Sequence, residues 1–130
     1  MMIDFSKLAT EVGIIARAAG AAILEIYADE SNFGIEQKAD NSPLTRADQA
    51  ANAVIMAGLT KLDFQAPIVS EENKEVPYSV RKDFDYFWLV DPLDGTKEFI
   101  KRNGEFTVNI ALVKEGSVVF GVVYVPVSAE

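Results

Sequence analysis

Hydrophobic residues recur every three or four positions through the first half of the chain, which is the spacing of a helix with one buried face. The first run predicts a long amphipathic helix from Asp4 to about Ala28. The polar stretch 32–43, which ends in Asp-Asn-Ser-Pro, predicts a loop. A second helix is expected from about Thr45 to Leu62, because Thr45 and Asp48 have the spacing of a capping box.

Beyond Pro67 the pattern changes to short runs of β-branched and aromatic residues, which are typical of strands. Asp91 and Pro92 are expected to end the second of these runs, and residues 114–117 suit a hairpin turn. The order of two helices followed by strands predicts an α+β fold with two long amino-terminal helices packed on an antiparallel sheet. The predicted strands are residues 68–70, 86–90, 106–113 and 118–125, with a polar loop over 71–85.

Composition limits the chemistry that this chain can perform. With 49% hydrophobic residues, 130 residues suit one domain, and the net charge of −8 opposes binding to a nucleic acid polymer or an anionic membrane. No apolar run approaches the ~18 residues of a membrane span, and no signal peptide is recognisable, so a cytoplasmic location is expected. The sequence has neither His nor Cys, which excludes imidazole catalysis, thiolate nucleophiles and the usual zinc sites. Hard oxygen ligands therefore favour Mg²⁺, Mn²⁺ or Ca²⁺.

Two aspartates, Asp91 and Asp94, follow the hydrophobic strand and flank Pro92 and Leu93. Because Pro92 lacks an amide donor and Gly95 frees the backbone, both carboxylates and the Leu93 carbonyl are expected to face one point. Two carboxylates about 5 Å apart would repel by roughly 3 kcal/mol at an effective dielectric of about 20, and a bound cation reverses this penalty. The alternative is an ordinary Asp-Gly surface turn. The haloacid dehalogenase pattern is set aside, because its two aspartates are separated by a single residue.

Three segments together are more specific than any one of them. The tract D-P-L-D-G-T at 91–96 is accompanied by S-E-E at 70–72 and by S-P-L-T-R-A-D at 42–48. These motifs resemble the inositol monophosphatase superfamily, and residues 86–113 are similar to its 3'(2'),5'-bisphosphate nucleotidase branch. The resemblance covers essentially the whole chain. It implies the amino-terminal metal-binding domain, residues 1–130, of the layered α-β-α-β-α sugar-phosphatase fold, without the carboxyl-terminal domain.

The resemblance also implies a set of metal ligands. Glu71, Asp91 and the carbonyl of Leu93 correspond to the first metal site of the family, and Asp94 joins Asp91 at a second. The implied cofactor is Mg²⁺, with about two or three ions in the whole enzyme and Mn²⁺ as a substitute.

Catalytic and phosphate-binding roles follow from the same resemblance. Asp48 and Thr96 correspond to the pair that activates the attacking water, and Glu72 is expected to orient a metal-bound water. The backbone amides of Gly95 and Thr96, at the amino end of an expected short helical turn through Ile100, are predicted to donate to the phosphoryl oxygens, and Lys38 corresponds to a loop lysine near the family's site. The alternative is that Asp48 is only a capping acid and Thr96 only a helix cap.

The implied function is magnesium-dependent hydrolysis of a phosphate monoester by a metal-activated water. The implied substrate is adenosine 3',5'-bisphosphate, a small phosphorylated metabolite, which loses its 3'(2')-phosphate to give AMP. The resemblance further implies lithium sensitivity, a role in sulfur metabolism and, as one option, peripheral association with the inner face of the cell membrane. Two alternatives stay open: a sugar phosphatase of the inositol monophosphatase type, or an inactive metal- and phosphate-binding piece that self-associates through the surface left by the missing half.

Overall fold

The amino-terminal hydrophobic pattern forms two helices in the computed structural model. Helix α1 spans Phe5–Tyr27 and is capped by Asp4, whose carboxylate accepts the backbone N–H of Lys7 at 3.0 Å. Helix α2 spans Arg46–Thr60, so both predicted helices are confirmed to within two residues. The structure describes residues 4–28, 34–37, 43–70, 78–81, 84–101 and 104–128.

Within the described residues, one sheet contains four strands in sequence order: β3 (Ile68–Ser70), β4 (Tyr86–Asp94), β5 (Thr107–Lys114) and β6 (Ser117–Tyr124). The neighbours β4, β5 and β6 are antiparallel, whereas β3 runs parallel to β4, so the sheet is mixed rather than wholly antiparallel as predicted. The long connection 71–85 permits this parallel pairing, which a tight turn cannot make. The α+β class with two helices packed on a sheet is confirmed.

Short elements lie between the long helices and strands. Strands β1, Glu36–Gln37, and β2, Pro43–Leu44, form a small antiparallel pair. Helix α3 covers Tyr78–Arg81, and helix α4 covers Thr96–Lys101 directly after β4. Elements of two to four residues carry no readable periodicity, which explains why the hydrophobic pattern did not predict β1, β2 and α3.

The predicted hairpin joins β5 to β6 through two residues. Glu115 has φ 50° and Gly116 has φ 82°. Positive φ at both central positions is the geometry of a type I′ turn, whose twist matches that of paired strands. The turn therefore sets the pairing of Lys114 with Ser117 and of Val113 with Val118, and an irregularity after Leu112 shifts the register by one residue beyond them.

The hydrophobic core lies between the two long helices and one face of the sheet. Trp88 of β4 is 1% exposed and packs edge-on against Phe64 and Phe120, with ring centroids 6.1 Å and 6.0 Å apart. The other face of the sheet exposes apolar side chains, among them Leu89 at 40% and Val123 at 64%. Within the described part of the chain, α1 and α2 are the long helices, and neither is apolar enough to cross a bilayer.

Candidate active site

A β-bulge places Asp91 and Asp94 on the same face of the sheet. Asp91 lies opposite Asn109 and Asp94 lies opposite Thr107, so β4 contains one residue more than β5 over this interval. Residues three apart in a regular strand would face opposite sides, and the extra residue restores a common side. The prediction that Asp91 and Pro92 end the strand is therefore wrong, since β4 continues to Asp94. Pro92 lies in the bulge, where a missing amide donor is tolerated.

The two acids lie on the face of the sheet that is turned away from the helices. Val90 points into the core and is fully buried, whereas Asp91 is half-buried and Asp94 is exposed. Beyond the bulge the Leu93 side chain returns to the core and is 3% exposed. Carboxylate and carbonyl oxygens are hard donors that suit Mg²⁺ or Ca²⁺, and their placement on one face fits a divalent cation.

Asp48 is a buried acid that links α2 to the turn after β4. Its side chain is 1% exposed, and its Oδ2 accepts the backbone N–H of Thr45 at 2.8 Å and the Thr45 hydroxyl at 2.7 Å. Its Oδ1 accepts the hydroxyl of Thr96 at 2.9 Å. Three donors and the amino end of α2 compensate for burial of the carboxylate. Asp48 thus does serve as a capping acid, and the same carboxylate also contacts Thr96.

Thr96 is brought to Asp48 by a turn that requires glycine. Gly95 has φ 93°, a conformation that side chains disfavour, and Thr96 begins α4 immediately after it. The Thr96 hydroxyl lies 2.9 Å from Asp48 Oδ1 and 3.4 Å from the carbonyl oxygen of Leu93. Because the hydroxyl has one hydrogen, it donates to the nearer, charged oxygen. The lone pairs of Thr96 Oγ1 are then directed elsewhere and can accept a hydrogen bond from a water.

A second hydrogen bond ties α2 to the carboxyl end of β3. Ser70, which is 6% exposed, donates its hydroxyl to Oδ1 of Asn52 at 2.6 Å. Asn52 follows Asp48 by four residues, so both side chains lie on one face of α2. One helix face thus contacts the end of β3, which precedes Glu71, and the start of α4, which follows Asp94.

Two polar residues of this region were missed by sequence reasoning. Asn52 belongs to no spaced motif, and Asn109 is a polar residue inside the apolar run of β5. Asn109 donates Nδ2–H to Oδ2 of Asp94 at 3.1 Å. A single amide in the middle of a hydrophobic strand was the available signal, because asparagine is depleted in strands.

Three of the predicted site residues, Lys38, Glu71 and Glu72, lie outside the described residues. Among the residues that the structure does describe, no group of three acids is placed to hold a metal ion. The structure brings Asp48 to Thr96 and puts Asp91 and Asp94 on one face. The roles of all these residues stay predictions.

Comparison with known proteins identifies the family. The sequence profile of the inositol monophosphatase family matches residues 6–130. The chain belongs to this family.

Relatives that carry the name CysQ match most of this chain. The 3'(2'),5'-bisphosphate nucleotidase CysQ of Escherichia coli K12 is 55% identical over 113 residues, which are 87% of this chain and 46% of that relative. The crystal structure of CysQ from Bacteroides thetaiotaomicron superposes with a TM-score of 0.78 at 53% identity, over 95% of this chain and 44% of that chain. This chain therefore spans about half the length of these family members.

A second solved structure has the same fold. The extragenic suppressor protein suhB of Bartonella henselae superposes with a TM-score of 0.84 at 29% identity. The match covers 95% of this chain and 47% of that chain. The two helices and the mixed sheet are thus the arrangement found in inositol monophosphatase folds.

Proposed function

We propose that this chain is the amino-terminal, metal-binding part of a magnesium-dependent phosphatase that removes the 3'(2')-phosphate of adenosine 3',5'-bisphosphate. The hydrogen bond between Asp48 and Thr96 carries the proposal, because it joins a buried acid to the hydroxyl that follows the acidic pair. The name of the E. coli relative, 3'(2'),5'-bisphosphate nucleotidase, supports this choice of substrate. The cytoplasmic location stays a prediction.

Asp91, Asp94 and the Leu93 carbonyl, together with Glu71, would hold the divalent cations. The bulge in β4 supports this assignment, since it gives the two aspartates a common face. Mg²⁺ bound there would lower the pKa of a coordinated water and neutralise charge on the phosphoryl group. The side chains of this chain provide orientation and proton transfer.

Thr96 and Asp48 act together on the attacking water. Thr96 Oγ1 accepts the hydrogen bond of the water while it donates its own hydrogen to Asp48 Oδ1. As the water attacks phosphorus, its proton passes to Thr96 Oγ1, and the threonine proton passes to the carboxylate. The bond between phosphorus and the 3'(2')-oxygen breaks, and the leaving oxygen takes a proton from solvent water. Asp48 remains in place because the Thr45 backbone and hydroxyl hold its other oxygen.

The phosphate monoester is positioned by backbone amides in the turn that also presents Thr96. The positive φ of Gly95 allows the Gly95 and Thr96 amides to donate to phosphoryl oxygens, as in other anion-binding turns. Lys38 and Glu72 keep their proposed roles, one near the phosphate and the other orienting a bound water.

Release of inorganic phosphate tests the proposal. The chain is incubated with adenosine 3',5'-bisphosphate or with inositol 1-phosphate, with and without Mg²⁺, beside an Asp91→Asn variant whose fold is checked by circular dichroism. We expect magnesium-dependent release from the nucleotide and its loss in the variant. Preference for inositol 1-phosphate would indicate the sugar-phosphatase alternative. No release from either substrate would favour the inactive metal- and phosphate-binding piece, and full activity of folded Asp91→Asn would contradict the proposal.

Self-association is the second candidate, favoured by the exposed face near β6. This strand lies at one side of the sheet that the structure describes, with Val118 and Val123 each 64% exposed. The net charge of −8 opposes association, so a dimer would depend on these apolar contacts. Sedimentation velocity should show a concentration-dependent dimer that Val123→Lys removes. Val80→Lys, at a valine of α3 that is 50% exposed, is the matched control and should leave the dimer intact.

A further inference from the structure

Asn109 of β5 is next to both acids of β4 in the sheet. It lies directly opposite Asp91 in the ladder, and its Nδ2–H donates to Asp94 Oδ2 at 3.1 Å. We propose that Asn109 is a positioning residue that orients the Asp94 carboxylate toward a divalent cation. The inference rests on the proposed function, because it assigns a supporting residue to that metal site.

The hydrogen bond decides which oxygen of Asp94 is available. One amide hydrogen on Oδ2 leaves Oδ1 as the better donor to a cation, and it limits rotation of an otherwise exposed side chain. Side chains that bond to metal ligands in this way hold them in the binding orientation. Asn109 therefore lowers the conformational entropy that Asp94 would lose on binding a cation.

Thr107 fixes the orientation of the Asn109 amide. Its hydroxyl donates to Asn109 Oδ1 at 3.4 Å, and Thr107 itself lies opposite Asp94. Because the oxygen of the amide faces this donor, its NH₂ group is turned toward Asp94. The three side chains form a chain of hydrogen bonds from Thr107 through Asn109 to Asp94.

Strand propensity does not account for an amide at this position. Val108 and Ile110 on either side of it face the core and are fully or almost fully buried, while Asn109 faces the acids. Asparagine is unfavourable in strands, and its local benefit here is the bond to Asp94. A leucine of similar size would leave the carboxylate without a donor.

Manganese binding tests the inference without depending on turnover. Free Mn²⁺ is counted by electron paramagnetic resonance during titration of the whole chain. Asn109→Leu should weaken Mn²⁺ binding by roughly tenfold, the lower end of the range for residues that support metal ligands. Thr107→Val should weaken it by a smaller factor, and Thr107→Ser, which keeps the hydroxyl, should bind like wild type. Ser117→Val, at the far end of the hairpin, is the matched polar-to-apolar control.

Unfolding of the metal-free variants separates positioning from folding. Asn109→Leu should unfold at about the same urea concentration as wild type without metal and show a smaller stabilisation when Mn²⁺ is added. Equal Mn²⁺ affinities of Asn109→Leu and wild type would overturn the inference and leave the proposed function standing. The same would follow if Ser117→Val lost as much Mn²⁺ affinity as Asn109→Leu. No saturable binding by wild type would overturn the proposed function, and the inference with it.

Discussion

Replacement of Asp48 by alanine should destabilise the fold strongly, because this carboxylate satisfies three donors in a buried place. The Thr45 amide and both hydroxyls of Thr45 and Thr96 donate to it, and Thr45 and Asp48 are each 1% exposed. In Asp48→Ala the Thr96 hydroxyl can turn to the Leu93 carbonyl, 3.4 Å away. The backbone N–H of Thr45 is left in this variant without the carboxylate oxygen that accepts its hydrogen bond.

The size of the destabilisation follows from the unpaired Thr45 amide and from the loss of the helix cap. A buried donor without a partner costs about 1–3 kcal/mol, and loss of a helix-capping side chain costs about 1 kcal/mol. Removal of a buried charge returns part of this cost, so the free energy of unfolding should fall by about 2–3 kcal/mol. With a urea dependence of roughly 1–2 kcal/mol per molar, the midpoint should shift by about 1–3 M.

Urea unfolding followed by tryptophan fluorescence measures this shift. Trp88 is the one tryptophan of the sequence and is 1% exposed, so its emission reports loss of the core. Asp63→Ala is the matched control, because Asp63 pairs with Lys7 at 3.5 Å with 95% of its side chain exposed. That variant should change stability by less than about 0.5 kcal/mol. A loss below about 1 kcal/mol in Asp48→Ala would refute the burial argument.

The remaining predictions concern one further variant of Asp48 and two pairs of glycines. Asp48→Asn should keep most of the stability, because its amide oxygen can still accept from Thr45. It should reduce magnesium-dependent phosphate release by roughly 10²–10⁴-fold, since its NH₂ group would reverse the Thr96 hydrogen bond. Phosphate release near the wild-type rate would contradict this. In thermal unfolding, Gly58→Ala should destabilise the fold by about 1 kcal/mol, because a Cβ there would lie 2.7 Å from Ile15 Cγ1. Gly13→Ala should stabilise the fold by about 0.5–1 kcal/mol, because a Cβ there has no neighbour within 4 Å. Equal gains in the two variants would disprove the close contact of α1 with α2. Gly95→Ala and Gly116→Ala should each lower the free energy of unfolding by about 1–2 kcal/mol, because both glycines have positive φ. Gly95→Ala alone should also weaken Mn²⁺ binding. A similar weakening in Gly116→Ala would argue against a site at Gly95.

Regular, long elements were predictable from the sequence, and irregular ones were not. The period of α1 and the capping residues Thr45 and Asp48 defined both helices, because amphipathic spacing and end signals are local. The direction of β3 was not predictable, since parallel and antiparallel partners have the same local pattern. Pro92 indicated a strand end, and the bulge that carries β4 past it depends on pairing with β5.

The candidate site shows the same division between local and long-range information. Its acidic motif is contiguous and could be recognised, but the bond between Asp48 and Thr96 joins residues 48 positions apart. Only the family resemblance led to that pair, because sequence separation says nothing about contact. Asn109 stood out only as an amide in a hydrophobic strand, and its bond to Asp94 could not be predicted, since it depends on how β5 pairs with β4.

A crystal structure of this chain grown with Mn²⁺ tests the central claim most directly. Anomalous scattering should place a cation at coordination distance, about 2.0–2.6 Å, from carboxylate oxygens of Asp91 and Asp94, with Glu71 completing the same site. A cation bound elsewhere, or Glu71 remote from these two aspartates, would contradict the account.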